Sequence, residues 1–169
     1  MLNRGFGTLE IKARPEDRWP CARVIGTHLI HGENHQKRVD QWAQIVDSVA
    51  ATKWPLPTII VGDFNIERDN REGTQLSSYL HHGYQKQNPT CTNRLAQQWD
   101  PALASNEETI DYVSLFKRVV HNGKSLPVRD QIRVKECRLI EGFDASYNTK
   151  TALSDHHGLV VTFDGFGHF

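Results

Sequence analysis

Four short segments of the chain place carboxylate, amide or imidazole side chains beside an apolar run. The segments are Thr27-His28-Leu29, Gly62-Asp63-Phe64-Asn65, Ile110-Asp111-Tyr112-Val113 and Ser154-Asp155-His156. The apolar runs predict strands, and the loops at strand edges are where α/β proteins collect ligands on a rigid frame. We therefore expect the four segments to contribute to one site.

These residue types are the ones that phosphoryl chemistry needs. Carboxylate oxygens bind a hard cation such as Mg²⁺, usually with water completing the coordination shell. An imidazole held by a carboxylate exchanges protons near neutral pH or donates to a developing negative charge. An amide positions a phosphate oxygen or a water without adding repulsive charge.

Each segment also has an ordinary structural explanation. Gly62, Asp63 and Asn65 are typical turn residues, and Ser154 and Asp155 are common capping residues. The functional interpretation rests on the set, because the four segments together supply carboxylates, an amide and imidazoles.

The apolar pattern predicts the elements that would position these segments. Alternating or continuous apolar runs predict strands over 7–12, 21–29, 58–65, 109–116, 132–140 and 158–163. Apolar residues at helical spacing predict a helix over 35–50, ended by Pro55 and Pro57, and a second helix within 67–83. The polar stretch 87–106 predicts a long loop. The expected architecture is an α/β or α+β domain of about six strands with two helices on the sheet.

Length and composition are those of a globular domain. The 169 residues suffice for a single domain over 1–169, with 38% hydrophobic and 24% charged residues. Lys plus Arg and Asp plus Glu both number 20, so the overall charge gives no support to a nucleic-acid partner. No apolar run is long enough to span a bilayer and the start lacks a secretory leader, so we expect a cytoplasmic protein.

The cysteines and the remaining histidines receive structural interpretations. Cys21, Cys91 and Cys137 lack zinc-site spacing, which favours free thiols, although a disulfide between two of them stays open. His31 and His35 in "HGENH" lack the Glu that a zinc-binding helix carries after its first His. We expect His81 and His82 to be an exposed pair on a helix end, and His157 to be a hydrogen-bonded residue at a strand entry.

In this order, the four segments resemble the motifs of the endonuclease/exonuclease/phosphatase superfamily, and the resemblance covers nearly the whole chain. It implies a deoxyribonuclease I-like β-sandwich flanked by helices. It also implies hydrolysis of phosphodiester or phosphomonoester bonds by in-line attack of an activated water, with Mg²⁺ or Mn²⁺ as cofactor. Members of the superfamily cut DNA or RNA, remove phosphates from inositol lipids, or split sphingomyelin.

The resemblance implies roles for Asp111, Asp155 and His156 of the two C-terminal motifs and for Asp63. His156 would be the catalytic imidazole, oriented and kept basic by Asp111. Asp155 would hold the metal ion, and Asp63 would orient or deprotonate the attacking water and share in metal binding.

The remaining residues would contact the substrate. Asn65 would steady the scissile phosphate, and His28 would contact phosphate or assist the leaving oxygen. Arg38 and Gln41 resemble a recurring Arg-x-x-Gln on the helix after Thr-His-Leu, so Arg38 is a candidate substrate-binding residue. A solvated helix face explains Arg38 equally well.

One departure from the family pattern leaves other functions open. The family supplies a metal-binding Glu and an Asn well before the Thr-His-Leu strand, but only 26 residues precede Thr27 and neither Glu10 nor Glu16 fits that context. The resemblance therefore implies a domain that lacks its N-terminal part and exposes a sheet face suited to self-association. The alternatives are a sphingomyelinase-like or inositol-phosphatase-like enzyme with a lipid-facing loop at Leu95 and Trp99, and a degenerate domain without catalysis.

Overall fold

The computed structural model describes residues 5–18, 21–51, 56–83, 90–92, 107–121, 124–127, 132–140, 143–144, 151–152 and 156–165. Its elements, in chain order, are β1 (Phe6–Ile11), β2 (Ala22–His28), α1 (His35–Ala50), β3 (Thr58–Asp63), α2 (Arg71–Ser77), β4 (Leu80–His82), β5 (Cys91–Thr92), β6 (Glu107–Glu108), β7 (Asp111–Phe116), β8 (Arg118–His121), β9 (Lys124–Pro127), β10 (Arg133–Ile140), β11 (Phe143–Asp144), β12 (Thr151–Ala152) and β13 (Gly158–Asp164).

A five-stranded mixed sheet forms the centre of the fold, with strand order β1-β2-β3-β7-β4. The β2 and β3 strands are parallel, and α1 provides the crossover that parallel neighbours require. The other pairings in this sheet are antiparallel. A second, two-stranded sheet pairs β10 with β13.

The hydrophobic core lies on one face of the five-stranded sheet, against the helices. Ile25 of β2 and Ile60 of β3 are fully buried there, together with Ile45 of α1 and Leu76 of α2. Trp42 of α1 stacks on Phe116 of β7 with ring centroids 5.6 Å apart. Burial of this apolar face fixes α1 on the sheet and leaves the opposite face for the polar strand ends.

The six predicted strands correspond to β1, β2, β3, β7, β10 and β13, and the first predicted helix has the bounds of α1. The additional strands contain two to four residues each and are too short for a periodic pattern. The loop predicted over 87–106 lies outside the described residues except at 90–92, where Cys91–Thr92 forms a short strand.

The second predicted helix is wrong in its extent, because α2 covers only Arg71–Ser77. The Asn70 side chain accepts a hydrogen bond from Gly73 N and caps the start of the helix, so the residues before it remain a loop. After α2 the chain enters β4, which pairs with β7 and buries Leu80. Pairing with a distant strand thus outweighs the local helical pattern.

The remaining structural predictions are resolved in part. Cys21 and Cys137 are free and half-buried, whereas the side chain of Cys91 and the segment with Leu95 and Trp99 lie outside the described residues.

Leu9 on β1 is 63% exposed, so this end of the sheet carries uncovered apolar surface. Within the described residues, the helices are too short or too polar to span a membrane.

We expected His82 on a helix end, but it lies on β4 within a chain of hydrogen bonds. Ser77 donates its hydroxyl proton to Gly73 O over 2.7 Å, so the His82 Nε2–H must donate to Ser77 Oγ, 2.7 Å away. His82 Nδ1 then accepts from Ser114 Oγ at 2.8 Å. Burial, together with nearby positive charge on Arg68 and Lys117, lowers the pKa of His82 to about 4.

We predict that His82 makes the protein less stable as the pH falls from about 6.5 to about 4. In that window the unfolded chain binds a proton on His82 and the folded chain does not. The free energy of unfolding should fall by about 1–2 kcal/mol on this account, less than the whole shift would give because the ring retains some contact with water.

Urea unfolding across this pH range measures the effect. His82→Gln should flatten the pH dependence, while His81→Gln at the exposed neighbour should leave it as in the wild type. Equal slopes for all three proteins would contradict a buried, neutral His82.

Candidate active site

The strand register brings three of the four predicted segments together. His28 on β2 lies opposite Asp63 on β3, and Asp63 lies opposite Asp111 on β7. Side chains directly opposite each other on neighbouring strands point to the same face. The ends of β2 and β3 and the start of β7 therefore present an imidazole and two carboxylates side by side.

Asp63 is the centre of this group and is largely buried. Its Oδ1 accepts a hydrogen bond from Asn65 N at 2.7 Å, and its Oδ2 lies 3.2 Å from His28 Nε2. Burial raises the pKa of Asp63, and the negative charge of Asp111 raises it further, although the Asn65 amide and the two imidazoles of His28 and His156 oppose this. The net pKa is raised, which moves this carboxyl group toward the range of a general base.

His156 is held by a hydrogen bond to Asp111. Its Nδ1 lies 2.9 Å from Asp111 Oδ2, and its Nε2 lies 3.9 Å from Asp63 Oδ2. A carboxylate accepts hydrogen bonds, so Nδ1 carries a proton, and Nε2 is the ring nitrogen that faces Asp63. The fourth segment thus contributes its imidazole to the group, whereas Ser154 and Asp155 lie outside the described residues.

Asn65 occupies a conformation that fixes its amide. Its φ of 50° lies in the left-handed region, which Asn tolerates better than most residues. Its Nδ2 donates to Leu29 O at 2.9 Å and to Asp63 Oδ2 at 3.3 Å, so both amide protons are engaged. In this arrangement Asn65 orients Asp63, and its contact with a phosphate remains a prediction.

Gly62 allows the two strands that carry His28 and Asp63 to lie close together. Its φ is 139°, and a Cβ added to it would lie 1.8 Å from Thr27 O. A side chain at position 62 would therefore push β3 away from β2 just before Asp63. The glycine in this motif is a requirement of the site geometry.

Arg38 is buried in an ion pair, which rules out the solvated helix face. Its Nε and Nη2 donate to the two carboxylate oxygens of Glu72 at 3.0 and 3.1 Å, and Nη1 donates to Gly32 O. Burial alone would raise the pKa of Glu72, but hydrogen bonds from Arg38 and His35 outweigh it and lower that pKa. A substrate contact by Arg38 remains a prediction.

The Arg-x-x-Gln pair of α1 anchors the loop that follows His28. Gln41 Oε1 accepts from Ile30 N at 3.0 Å, and Arg38 bonds to Gly32 O two residues further on. Glu72, which orients Arg38, was not predicted from the sequence. The capping residue Asn70, two positions before it, marks the helix start but does not show where the carboxylate points.

His157 only partly fits its prediction. It precedes β13, and its backbone N–H donates to Thr90 O at 2.8 Å, as a strand-entry residue should. Its Nδ1, however, is buried and has no hydrogen-bond partner among the described residues.

The donor chemistry of the site fits a divalent cation. Asp63 and Asp111 face each other, and the contacts that the structure shows for Asp63 are to Asn65, His28 and His156 rather than to Lys or Arg. Carboxylate oxygens are ligands that Mg²⁺ takes in proteins. Among the described residues, however, no group of three or more His, Cys, Asp or Glu is arranged to hold a metal ion. The second predicted ligand, Asp155, lies outside those residues.

Solved structures with a similar fold identify the architecture. A protein of the endonuclease/exonuclease/phosphatase family from Bacteroides thetaiotaomicron has a TM-score of 0.58 at 18% identity, with 84% of this chain and 48% of that chain covered. TDP2 from D. rerio, complexed with a single-strand DNA product, has a TM-score of 0.63 at 14% identity, with 95% and 68% covered. A beta toxin variant from Staphylococcus aureus with bound magnesium ions has a TM-score of 0.59 at 21% identity, with 93% and 57% covered. The chain matches no protein-family model and no curated protein.

These likenesses confirm the predicted deoxyribonuclease I-like fold. The chain spans about half the length of the Bacteroides and Staphylococcus proteins.

We predict that Gly62→Ala lowers the free energy of unfolding by at least about 2 kcal/mol, because the new Cβ collides with Thr27 O at a positive φ. Gly26→Ala is the matched control on the adjacent strand, since a Cβ there meets nothing within 4 Å, and it should stay within about 1 kcal/mol of the wild type. Urea unfolding of the three proteins measures both values. A loss as large in Gly26→Ala would show that any side chain in these strands is harmful, and that Gly62 has no special role.

Proposed function

We propose that the protein is a divalent-metal-dependent hydrolase of phosphate esters. The observation that carries this proposal is the convergence of Asp63, Asp111 and His156 from three separate segments, with His156 held at 2.9 Å by one carboxylate and facing the other at 3.9 Å. The deoxyribonuclease I-like fold supports it.

Asp63 and His156 divide the proton chemistry between them. Asp63, whose pKa is raised by burial and by Asp111, orients the attacking water and accepts its proton. Asp111 holds the Nδ1–H of His156 and directs Nε2 toward the reacting phosphate, where the neutral ring accepts a proton and the protonated ring donates to the developing charge. In-line attack then breaks the bond to the leaving oxygen on the opposite side of phosphorus.

The remaining side chains orient the substrate. His28 is about half exposed beside Asp63 and is positioned to contact a phosphate oxygen or the leaving group. Asn65 keeps the Asp63 carboxylate in one orientation through two hydrogen bonds, which is how a positioned base retains its geometry. Arg38 and Gln41 hold the loop after His28 and thereby limit where the substrate can lie.

Mg²⁺ or Mn²⁺ would be held by Asp155 and Asp63. When bound, the cation neutralises charge on the phosphate oxygens and polarises the phosphoryl group. Its charge would also offset the repulsion between Asp63 and Asp111 that raises the pKa of Asp63 in its absence.

Hydrolysis of bis-p-nitrophenyl phosphate, with Mg²⁺ and with EDTA, tests the proposal. We expect turnover that requires the metal and disappears in Asp63→Asn and Asp155→Ala. His156→Ala should lose at least about 100-fold in rate, the range expected for an acid/base group. His31→Ala removes an exposed imidazole from the neighbouring loop and should change the rate less than about twofold.

Two outcomes would reject the proposal or one of its assignments. A folded chain without metal-dependent turnover would mean that these residues do not catalyse hydrolysis by themselves. A smaller loss in a folded His156→Ala variant would remove His156 from the acid/base role. Parallel assays with p-nitrophenyl phosphate separate monoester from diester hydrolysis.

A further inference from the structure

Thr90 is a fully buried residue behind the Asp111–His156 pair. Its Oγ1 accepts two backbone hydrogen bonds, from Ile110 N at 3.1 Å and from Asp111 N at 3.0 Å. A single side-chain oxygen therefore fixes the backbone at the residue whose carboxylate holds His156.

The main chain of Thr90 fixes the other partner. Thr90 O accepts a hydrogen bond from His157 N at 2.8 Å, and His157 directly follows His156. Thr90 N donates to Glu108 O at 2.9 Å, which ties the residue to the strand preceding Asp111. Thr90 thus bonds to the chain on both sides of the hydrogen bond between Asp111 and His156.

Such a connection matters because Asp111 and His156 belong to different sheets. Asp111 begins β7 in the five-stranded sheet, whereas His156 precedes β13, which pairs with β10 in the second sheet. A relative shift of the two sheets would lengthen the 2.9 Å bond directly. Misplacement of a catalytic group by about 1 Å can cost roughly 100-fold in rate.

We propose that Thr90 is a positioning residue that sets the geometry of the Asp111–His156 hydrogen bond. The side chain fixes the Asp111 backbone and the carbonyl fixes the His156 segment, so the distance between the two groups is defined through one buried residue. The kinetic consequence rests on the proposed hydrolase function, but the effect on the hydrogen bond does not.

The hydroxyl oxygen is the part of Thr90 that can be replaced cleanly. It has two lone pairs and accepts both amide protons, which an isosteric valine cannot do. Thr90→Val leaves the Ile110 and Asp111 amides buried without an acceptor, while Thr90→Ser keeps the oxygen and removes only a methyl group. The two variants therefore separate the hydrogen bonds from the packing.

The first readout is structural and needs no activity. The His156 Nδ1 proton should resonate far downfield in NMR spectra, as imidazole protons held by a carboxylate do. We expect this resonance to be lost or strongly shifted in Thr90→Val and retained in Thr90→Ser. Amide hydrogen exchange at Ile110 and Asp111 should accelerate in Thr90→Val alone.

The second readout is kinetic, with bis-p-nitrophenyl phosphate as substrate. Thr90→Val should lower kcat by about 10- to 100-fold with KM changed less than about threefold, and Thr90→Ser should restore most of the rate. In a His156→Ala background, Thr90→Val should cause no further loss, because the hydrogen bond that it disturbs is already absent.

Two results would overturn the proposal. One is a folded Thr90→Val protein with an unchanged Nδ1 resonance. The other is an equal loss of kcat from Thr90→Val with and without His156, which would assign Thr90 a general structural role. If Thr90→Val does not fold, Thr90→Cys serves instead. Hydrogen bonds to sulfur are longer than those to oxygen, so this variant should displace the Ile110 and Asp111 amides and shift the same resonance. If the wild type shows no turnover, the hydrolase proposal fails and the NMR comparison still decides the role of Thr90.

Discussion

The site is organised around a repulsion between two carboxylates. Asp63 and Asp111 lie opposite each other on β3 and β7, and both are largely shielded from water. Like charges directly opposite in a sheet destabilise it, and the lowered dielectric increases the cost. The neighbouring groups each reduce this cost: the Asn65 amide and His28 bond to Asp63, and His156 bonds to Asp111. Under the proposed function, this cost in stability accompanies reactivity, as it commonly does at strained functional sites.

The compensating groups come from distant parts of the chain, so the site forms only when the tertiary structure is complete. Asn65 reaches back to Leu29 O, 36 positions earlier, and His156 reaches Asp111 across 45 positions. The helices contribute from the opposite side: Arg38 of α1 and Glu72 of α2 hold the loop that follows His28. Burial of the apolar face therefore determines indirectly where the polar strand ends lie.

Local patterns explain which parts of this arrangement the sequence could predict. The periodicities that predict α1 and the longer strands are properties of adjacent residues. The apolar run beside each of the four motifs likewise predicts that its polar groups lie at a strand end. The roles of His82, Arg38 and His157 depend instead on partners far away in sequence: Ser114, Glu72 and Thr90. A pair of adjacent histidines has the same local sequence whether or not a distant serine lies against it. The local sequence therefore predicts exposure in both cases. The strand β4 was missed for the same reason, since its three residues gain order only by pairing with β7.

A bound cation and the histidines would compensate the same negative charge in different ways. Hydrogen bonds from His28 and Asn65 use up lone pairs of Asp63, whereas a cation needs those lone pairs as ligands. Removing one of these partners would leave more of the carboxylate charge uncompensated. The site would then attract a cation more strongly, and the folded state would be less stable when no cation is bound. In the present contacts, Asp63 Oδ1 accepts from the Asn65 backbone amide, while Oδ2 accepts from Asn65 Nδ2 and faces both imidazoles. Both oxygens are therefore engaged, and a cation or a water that binds at Oδ2 would require the two imidazoles to adjust their contacts with it.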